Sequence, residues 1–106
     1  MKTMGVMVVR VYITESSHLL NKVVHYLQRE AGIRGVSVFR AVSGFGDSGD
    51  HSASLVDLSL DLPLVIEFFD TKEQITPVLL YLNEFIKPEH IVFWDATVTG
   101  GLGLCP

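Results

Sequence analysis

The apolar residues of this chain fall into blocks whose internal spacing alternates between two periods. Val6 to Ile13, VMVVRVYI, is β-branched and nearly continuously apolar, the pattern of a central strand covered on both sides. TESS then supplies helix caps, and Leu19, Leu20, Val23, Val24, Leu27 and Ala31 recur at helical spacing until Gly32 ends the pattern. GVSVFRAV, Gly35 to Val42, predicts a second strand, and LPLVIEFFD, Leu62 to Asp70, a third. Leu55, Val56 and Leu58 between them either extend a hairpin or pack as a loop. Asp70 and Glu73 have the spacing of a capping box, and Ile75, Val78, Leu79, Leu82 and Ile86 form a second helical stripe. Pro77 requires that this helix be distorted in its first turn or kinked. HIVFWDATV, His90 to Val98, predicts the last strand, and a glycine-rich tail follows from 99 to 106, expected to be flexible.

The order is βαββαβ, with no internal repeat and no linker. Two right-handed crossovers then give an α+β, ferredoxin-like fold: a four-stranded antiparallel sheet in spatial order 2-3-1-4 with both helices on one face. The expected unit is a single domain over 1–106, with its core at about 5–98. The second face of the sheet has no cover, and its residues do not alternate toward polarity as a solvated face should.

Each predicted strand carries one charge near its middle: Arg10, Arg40, Glu67 and Asp95. If all four share the uncovered face, the strand order reads Arg40, Glu67, Arg10, Asp95, with alternating signs that favour this neighbour arrangement. Alternation then places Val6, Val8 and Tyr12 with Arg10, Val38 with Arg40, Val65 and Phe69 with Glu67, and Ile91 and Phe93 with Asp95. Trp94 falls opposite Asp95, as core beneath a helix. Apolar surroundings about a charge ladder describe a subunit interface, since large apolar patches are uncommon on monomers. A closed homo-oligomer with its sheets turned inward is the expectation, with Arg10, Glu67 and Asp95 at the interface.

Composition narrows the function. The chain has 106 residues, 48% of them hydrophobic and 19% charged, which suits one domain with a substantial core. No apolar run reaches the roughly 18 to 20 residues that span a bilayer. MKTMGVMVVRVYI is interrupted by Arg10 and lacks a small-residue cleavage site, so it reads as a strand and not as a secretory signal. The lone cysteine, Cys105, permits no intrachain disulfide and fits a reducing cytoplasm. A formal charge of −4 argues against a nucleic-acid partner.

The polar, glycine-rich stretch RAVSGFGDSGDHSAS, Arg40 to Ser54, holds the main candidate chemistry. Gly44 and Gly46 can bring backbone N–H groups close to a phosphate, with Phe45 stacking on a base or anchoring the loop. GFG alone is neither a Walker loop nor a dinucleotide fingerprint, and it equally describes a hairpin turn over a buried phenylalanine. Asp47, Asp50 and His51 offer oxygen and nitrogen ligands, but a solvated loop uses the same residues, and no metal site is assigned. His18 and His25 read as surface and boundary positions. No Cys/His, Ser/His/Asp or paired-carboxylate arrangement stands out, so no catalytic residue is assigned.

VYITES at the first strand end, GVSVFRAVSGFG across the second, and LSLDLPLVIEFFDTKEQI resemble the small PII-like proteins grouped as domain of unknown function 190, from about Val9 to Val98. The resemblance implies a PII-like trimer, and a loop after the second strand placed like the effector-responsive loop of PII signal proteins. It also implies nucleotides or other small anions in the clefts between subunits. A regulated membrane channel or enzyme is the partner class it implies, through the family's association with fluoride-channel genes. Two stretches depart from the family: SSHLLNKVV is shorter at the first helix and lacks a proline, and DSGDHSAS lacks an arginine- or histidine-rich pattern.

The reading that results is a cytoplasmic regulatory module, not an enzyme. Arg40, Gly44, Phe45 and Gly46 are expected to contact a small anionic effector such as an adenine nucleotide, ordering the loop from Asp47 to Ser54. Arg40 cannot easily serve both the ladder and the ligand. Two other classes share the element order. A small ferredoxin-like enzyme acting on a phosphate- or carboxylate-bearing substrate would need an anion cradle after the first strand, where Glu15 in TESSH repels phosphate. An RNA-binding module would stack bases on Tyr12, Phe69 and Phe93, against the acidic balance.

Overall fold

The computed structural model describes residues 1–44 and 62–100. Its elements follow the predicted order: β1 (Thr3–Thr14), α1 (Leu20–His25), β2 (Val36–Arg40), β3 (Pro63–Asp70), α2 (Lys72–Leu82) and β4 (Ile91–Thr99). The sheet runs β2-β3-β1-β4, and every neighbouring pair is antiparallel. This is the ferredoxin-like arrangement expected from the two crossovers.

Alternation along the two central strands builds the core. Val9, Val11 and Ile13 of β1 and Leu64, Ile66 and Phe68 of β3 all point to the same side, where they meet Val23, Leu27, Ile75, Val78 and Leu82 of the helices. Both helices therefore share one face of the sheet. Val9, Val11, Leu27, Ile66 and Ile75 are fully shielded from solvent, so this layer holds most of the favourable burial.

The first helical stripe lies over α1 and a single wide π-helical turn, Tyr26–Glu30. Gly32, at φ 67°, reverses the chain in the left-handed region that glycine tolerates, and the Ile33 N–H donates to the Leu27 carbonyl at 2.9 Å. At the start of α2 the cap is Thr71, one residue later than the expected Asp70 box: its hydroxyl accepts from the Gln74 N–H at 3.3 Å. Asp70 instead accepts from the Thr71 N–H at 2.7 Å. Pro77 lies inside α2 beyond its first turn. The donor it lacks would have served the carbonyl of Glu73, an exposed residue, so solvent can take that acceptor. Ile86 lies past the helix end yet stays buried in the same core.

The register corrects the charge ladder. Arg10 pairs with Glu67, and Glu67 pairs with Ser37, so the β2 residue on the uncovered face is Ser37 and Arg40 turns to the helix side. Arg10 also pairs with Val92, and Val8 with Trp94, so Trp94 lies on the uncovered face while Phe93 and Asp95 turn to the helix side. The expected placing of Trp94 beneath a helix is thus reversed. In a run as apolar as IVFW both faces look alike in sequence, and a phase error of one residue exchanges them.

Between the helices, the rings of Tyr26 and Tyr81 stack at 3.9 Å, and Tyr81 meets Phe85 edge-on at 5.2 Å. Burial raises the Tyr26 phenol above the ordinary tyrosine range, and the nearby Tyr81 and Glu30 add to the shift. The folded state therefore releases this proton less readily than the unfolded chain. Its contribution is fully present below the ordinary tyrosine pKa of about 10 and is lost as pH rises through the higher folded value. Urea unfolding across that window should show declining stability, with a smaller decline in Tyr26→Phe; equal declines would refute the assignment. Leu27→Ala should cost about 2 to 5 kcal/mol in the same assay at neutral pH, since it empties a fully buried site between layers.

Candidate functional site

Three strand ends converge at one end of the sheet. Thr14, the last residue of β1, pairs with Pro63 at the start of β3, and Arg40, the last of β2, pairs with Leu64. The Ala41 N–H donates to the Pro63 carbonyl at 2.9 Å, which carries the chain from β2 past β3 toward Gly44. A Cβ built on Gly44 would meet the Pro63 Cγ at 3.6 Å, an ordinary contact, so crowding does not demand glycine there. Phe45 and Gly46 lie outside the described residues, as do Asp47, Asp50, His51, Leu55, Val56, Leu58 and Cys105.

Arg40 and Gly44 are therefore the two sequence-chosen ligand candidates that the structure brings to this end. It adds one that the sequence pattern had set against an anion: Glu15. Ile13 and Arg40 both flank Leu64 on the helix side, and Glu15, two residues beyond Ile13, continues toward the same side. Its Oε1 lies 2.5 Å from Arg40 Nη2. The available signal in the sequence was parity alone: Glu15 stands in phase with Val9, Val11 and Ile13, the strand's core-facing positions.

Glu15 is set by a tightly bonded turn. It opens a 3-10 segment, Glu15–Ser17, in which Ser17 Oγ donates to the Thr14 carbonyl at 2.6 Å and the His18 N–H donates to the Glu15 carbonyl at 3.2 Å. His18 closes the turn at φ 59°, in the left-handed region where non-glycine residues are uncommon. Both His18 and His25 are exposed.

The uncovered face forms a second, separate feature. At its centre Arg10 Nε donates to Glu67 Oε1 at 2.6 Å, between residues directly opposite each other on β1 and β3. That hydrogen bond, with a smaller contribution from the neighbouring Tyr12 hydroxyl, raises the guanidinium pKa above its ordinary value. The Arg10 guanidinium carbon also lies 6.0 Å from the centre of the Trp94 ring, at the limit of a cation–π contact. Around this pair Tyr12, Phe39, Phe69, Val92 and Trp94 share the face and are each 37% to 51% exposed. The ion pair is real, but it joins two of the four ladder residues.

At the far end of β2 a groove of about 540 Å³ runs past Arg34, Ser37, Glu67 and Asp70. Asp70 is 1% exposed, and its Oδ2 has no hydrogen-bond partner among the described residues. Among the described residues, no group of three or more His, Cys, Asp or Glu side chains is placed to hold a metal ion. No helix among them is long and apolar enough to cross a membrane.

The sheet order and the shared helix face are those of a ferredoxin-like fold of the PII-like kind. Residues 6–98 match the family DUF190, described as Uncharacterized ACR, COG1993, and the chain belongs to that family. It is 29% identical over 89 residues to the UPF0166 protein MJ1524 of Methanocaldococcus jannaschii, covering 80% of this chain and 82% of that one. A UPF0166 protein of Aquifex aeolicus is 37% identical over 65 residues, covering 60% of this chain and 68% of its own. Among solved structures, CPII of Thiomonas intermedia K12 bound to ADP and bicarbonate superposes with a TM-score of 0.68 at 20% identity, over 92% of this chain and 89% of that one. A putative PII-like signaling protein from Thermus thermophilus superposes with a TM-score of 0.59 at 19% identity, over 92% and 90% of the two chains.

Proposed function

We propose that this protein is a cytoplasmic PII-like regulatory protein, one domain over 1–106, that senses a small anionic effector in clefts between the subunits of a trimer. The effector class is an adenine nucleotide, and Arg40, Gly44, Phe45 and Gly46 contact it. The observation that carries the reading is the position of Arg40. It ends β2 on the helix side of the sheet, next to the chain segment that leads into the glycine-rich loop, and it takes no part in the Arg10–Glu67 pair on the other face.

That separation removes the conflict between assembly and binding that a four-residue ladder would create. A guanidinium is suited to phosphate, because its fixed fork can donate two parallel charged hydrogen bonds. The fold similarity to CPII, whose structure holds ADP and bicarbonate, supports the choice of probe. The effector in this scheme orders the loop from Asp47 to Ser54, and the altered loop changes affinity for a partner, a membrane channel or an enzyme.

Assembly in this reading uses the uncovered face. Tyr12, Phe69 and Trp94 surround the Arg10–Glu67 pair there, with Val65 in the same row. A neighbouring copy would shield these side chains and leave the paired charges with each other as partner. Asp95, on the helix-side phase of edge strand β4, faces away from such an interface.

Light scattering should report a trimer for the wild type and a smaller species for Trp94→Asp, which buries an unpaired carboxylate in the interface. A monomeric wild type would remove the intersubunit cleft and the reading with it. Titration calorimetry with ADP, AMP and ATP should show binding that Arg40→Ala weakens at least about tenfold, the loss expected of a charged hydrogen-bonding partner. Silence with all three nucleotides, or an Arg40→Ala protein that binds as tightly as wild type, would count against this assignment.

A further inference from the structure

In the structure the guanidinium assigned to the effector is already engaged. Glu15 Oε1 lies 2.5 Å from Arg40 Nη2, and the two side chains are 40% and 48% exposed. The carboxylate is carried by a short turn that local hydrogen bonds hold at both ends, from Ser17 Oγ to the Thr14 carbonyl and from the His18 N–H to the Glu15 carbonyl. Leu19, directly after that turn, packs against the core and ties it to the first helix. The backbone of Glu15 is thus fixed, while its side chain remains at the surface and is able to swing away.

We propose that Glu15 is a specificity-determining residue at the anion site: its carboxylate occupies Arg40 in the ligand-free protein, and an effector binds by displacing it. The inference rests on the reading that Arg40 contacts the effector, and it adds a selection rule to it. A carboxylate carries one negative charge, whereas a terminal phosphate carries up to about two near neutral pH and has three acceptor oxygens. Exchange therefore favours a terminal phosphate group, as in AMP or ADP, over a carboxylate or a phosphodiester, whose single charge gains little from the exchange. After displacement Glu15 stays tethered to β1, so its charge continues to oppose the ligand and holds affinity below what Arg40 alone would give. A site built this way responds to changes in effector concentration instead of remaining saturated.

The geometry also restricts which substitutions should matter. Removing the charge of Glu15 takes away this competitor without touching the core, since Glu15 is exposed and no core residue depends on its side chain. Its pairing with Arg40 is an exposed contact, worth little to folding, so the variant should fold as the wild type does.

Calorimetry on the full chain with ADP, AMP, adenosine and inorganic phosphate tests the proposal on wild type, Glu15→Gln, Glu15→Ala and Arg40→Ala, with thermal melting as the check on folding. Both Glu15 variants should bind ADP and AMP about three- to fivefold more tightly, near the upper range that an exposed ion pair withholds. Adenosine affinity should not change. Unchanged ADP affinity in both Glu15 variants, with Arg40→Ala still weakened, would overturn the displacement role and leave the ligand assignment of Arg40 standing. Equal binding by Arg40→Ala and wild type, or no binding of any probe by wild type and the Glu15 variants alike, would overturn both. Nucleotide binding that is seen in the Glu15 variants and absent in wild type would support displacement directly.

Discussion

The placement of Arg10 opposite Glu67, at the middle of the two central strands, fixes the phase of the whole sheet. With those two residues facing the same side, Val9, Val11, Ile66 and Phe68 must face the other, and that is where the two helices bury them. A shift of one residue would send the core aliphatics into solvent and draw the charged pair beneath the helices. The desolvation of an ion pair and the lost apolar burial would both oppose it, so the register is strongly specified. The same phase carries outward through hydrogen-bonded neighbours to Ser37 on β2 and to Val92 and Trp94 on β4.

Two features with different chemistry then lie at different places. One is broad and mostly apolar: the sheet face around Arg10, Glu67 and Trp94, where aromatic side chains remain partly exposed in the single chain. The other is small and charged: the sheet end where β1, β2 and β3 finish together and Arg40 meets Glu15. The apolar face and the charged sheet end therefore do not compete for the same side chains. Since β3 lies between β2 and β1, it contacts both features, and Leu64 beside Arg40 and Glu67 beside Arg10 are three residues apart on it. The two features are thus joined through a single strand.

The helix layer has its own asymmetry. The helices cover the central strands fully and the edge strands less, so Val38 on β2 and Phe93 on β4 point to the helix side yet remain 43% and 51% exposed. Apolar character at an edge thus does not identify the face to which a side chain belongs. Trp94 and Phe93, adjacent in sequence and similarly exposed, lie on opposite faces.

The sequence alone determined the element order, the strand order 2-3-1-4, the shared helix face and the main core positions, because these follow from local periodicity and from the handedness of crossovers. Leu27, Ile75, Val78 and Leu82 could be read directly from helical spacing, and the family from the segments around β2 and β3. Arg40 and Gly44 were likewise legible as candidates, from a glycine-rich loop in a telling place. The phase of the edge strands was not, since β2 and β4 carry apolar residues on both faces and only hydrogen-bonded register distinguishes them. Tertiary structure alone brought Glu15 to Arg40. A carboxylate that looks like a general obstacle to phosphate in a linear reading lies against one particular guanidinium once the ends of β1 and β2 are set on either side of Leu64.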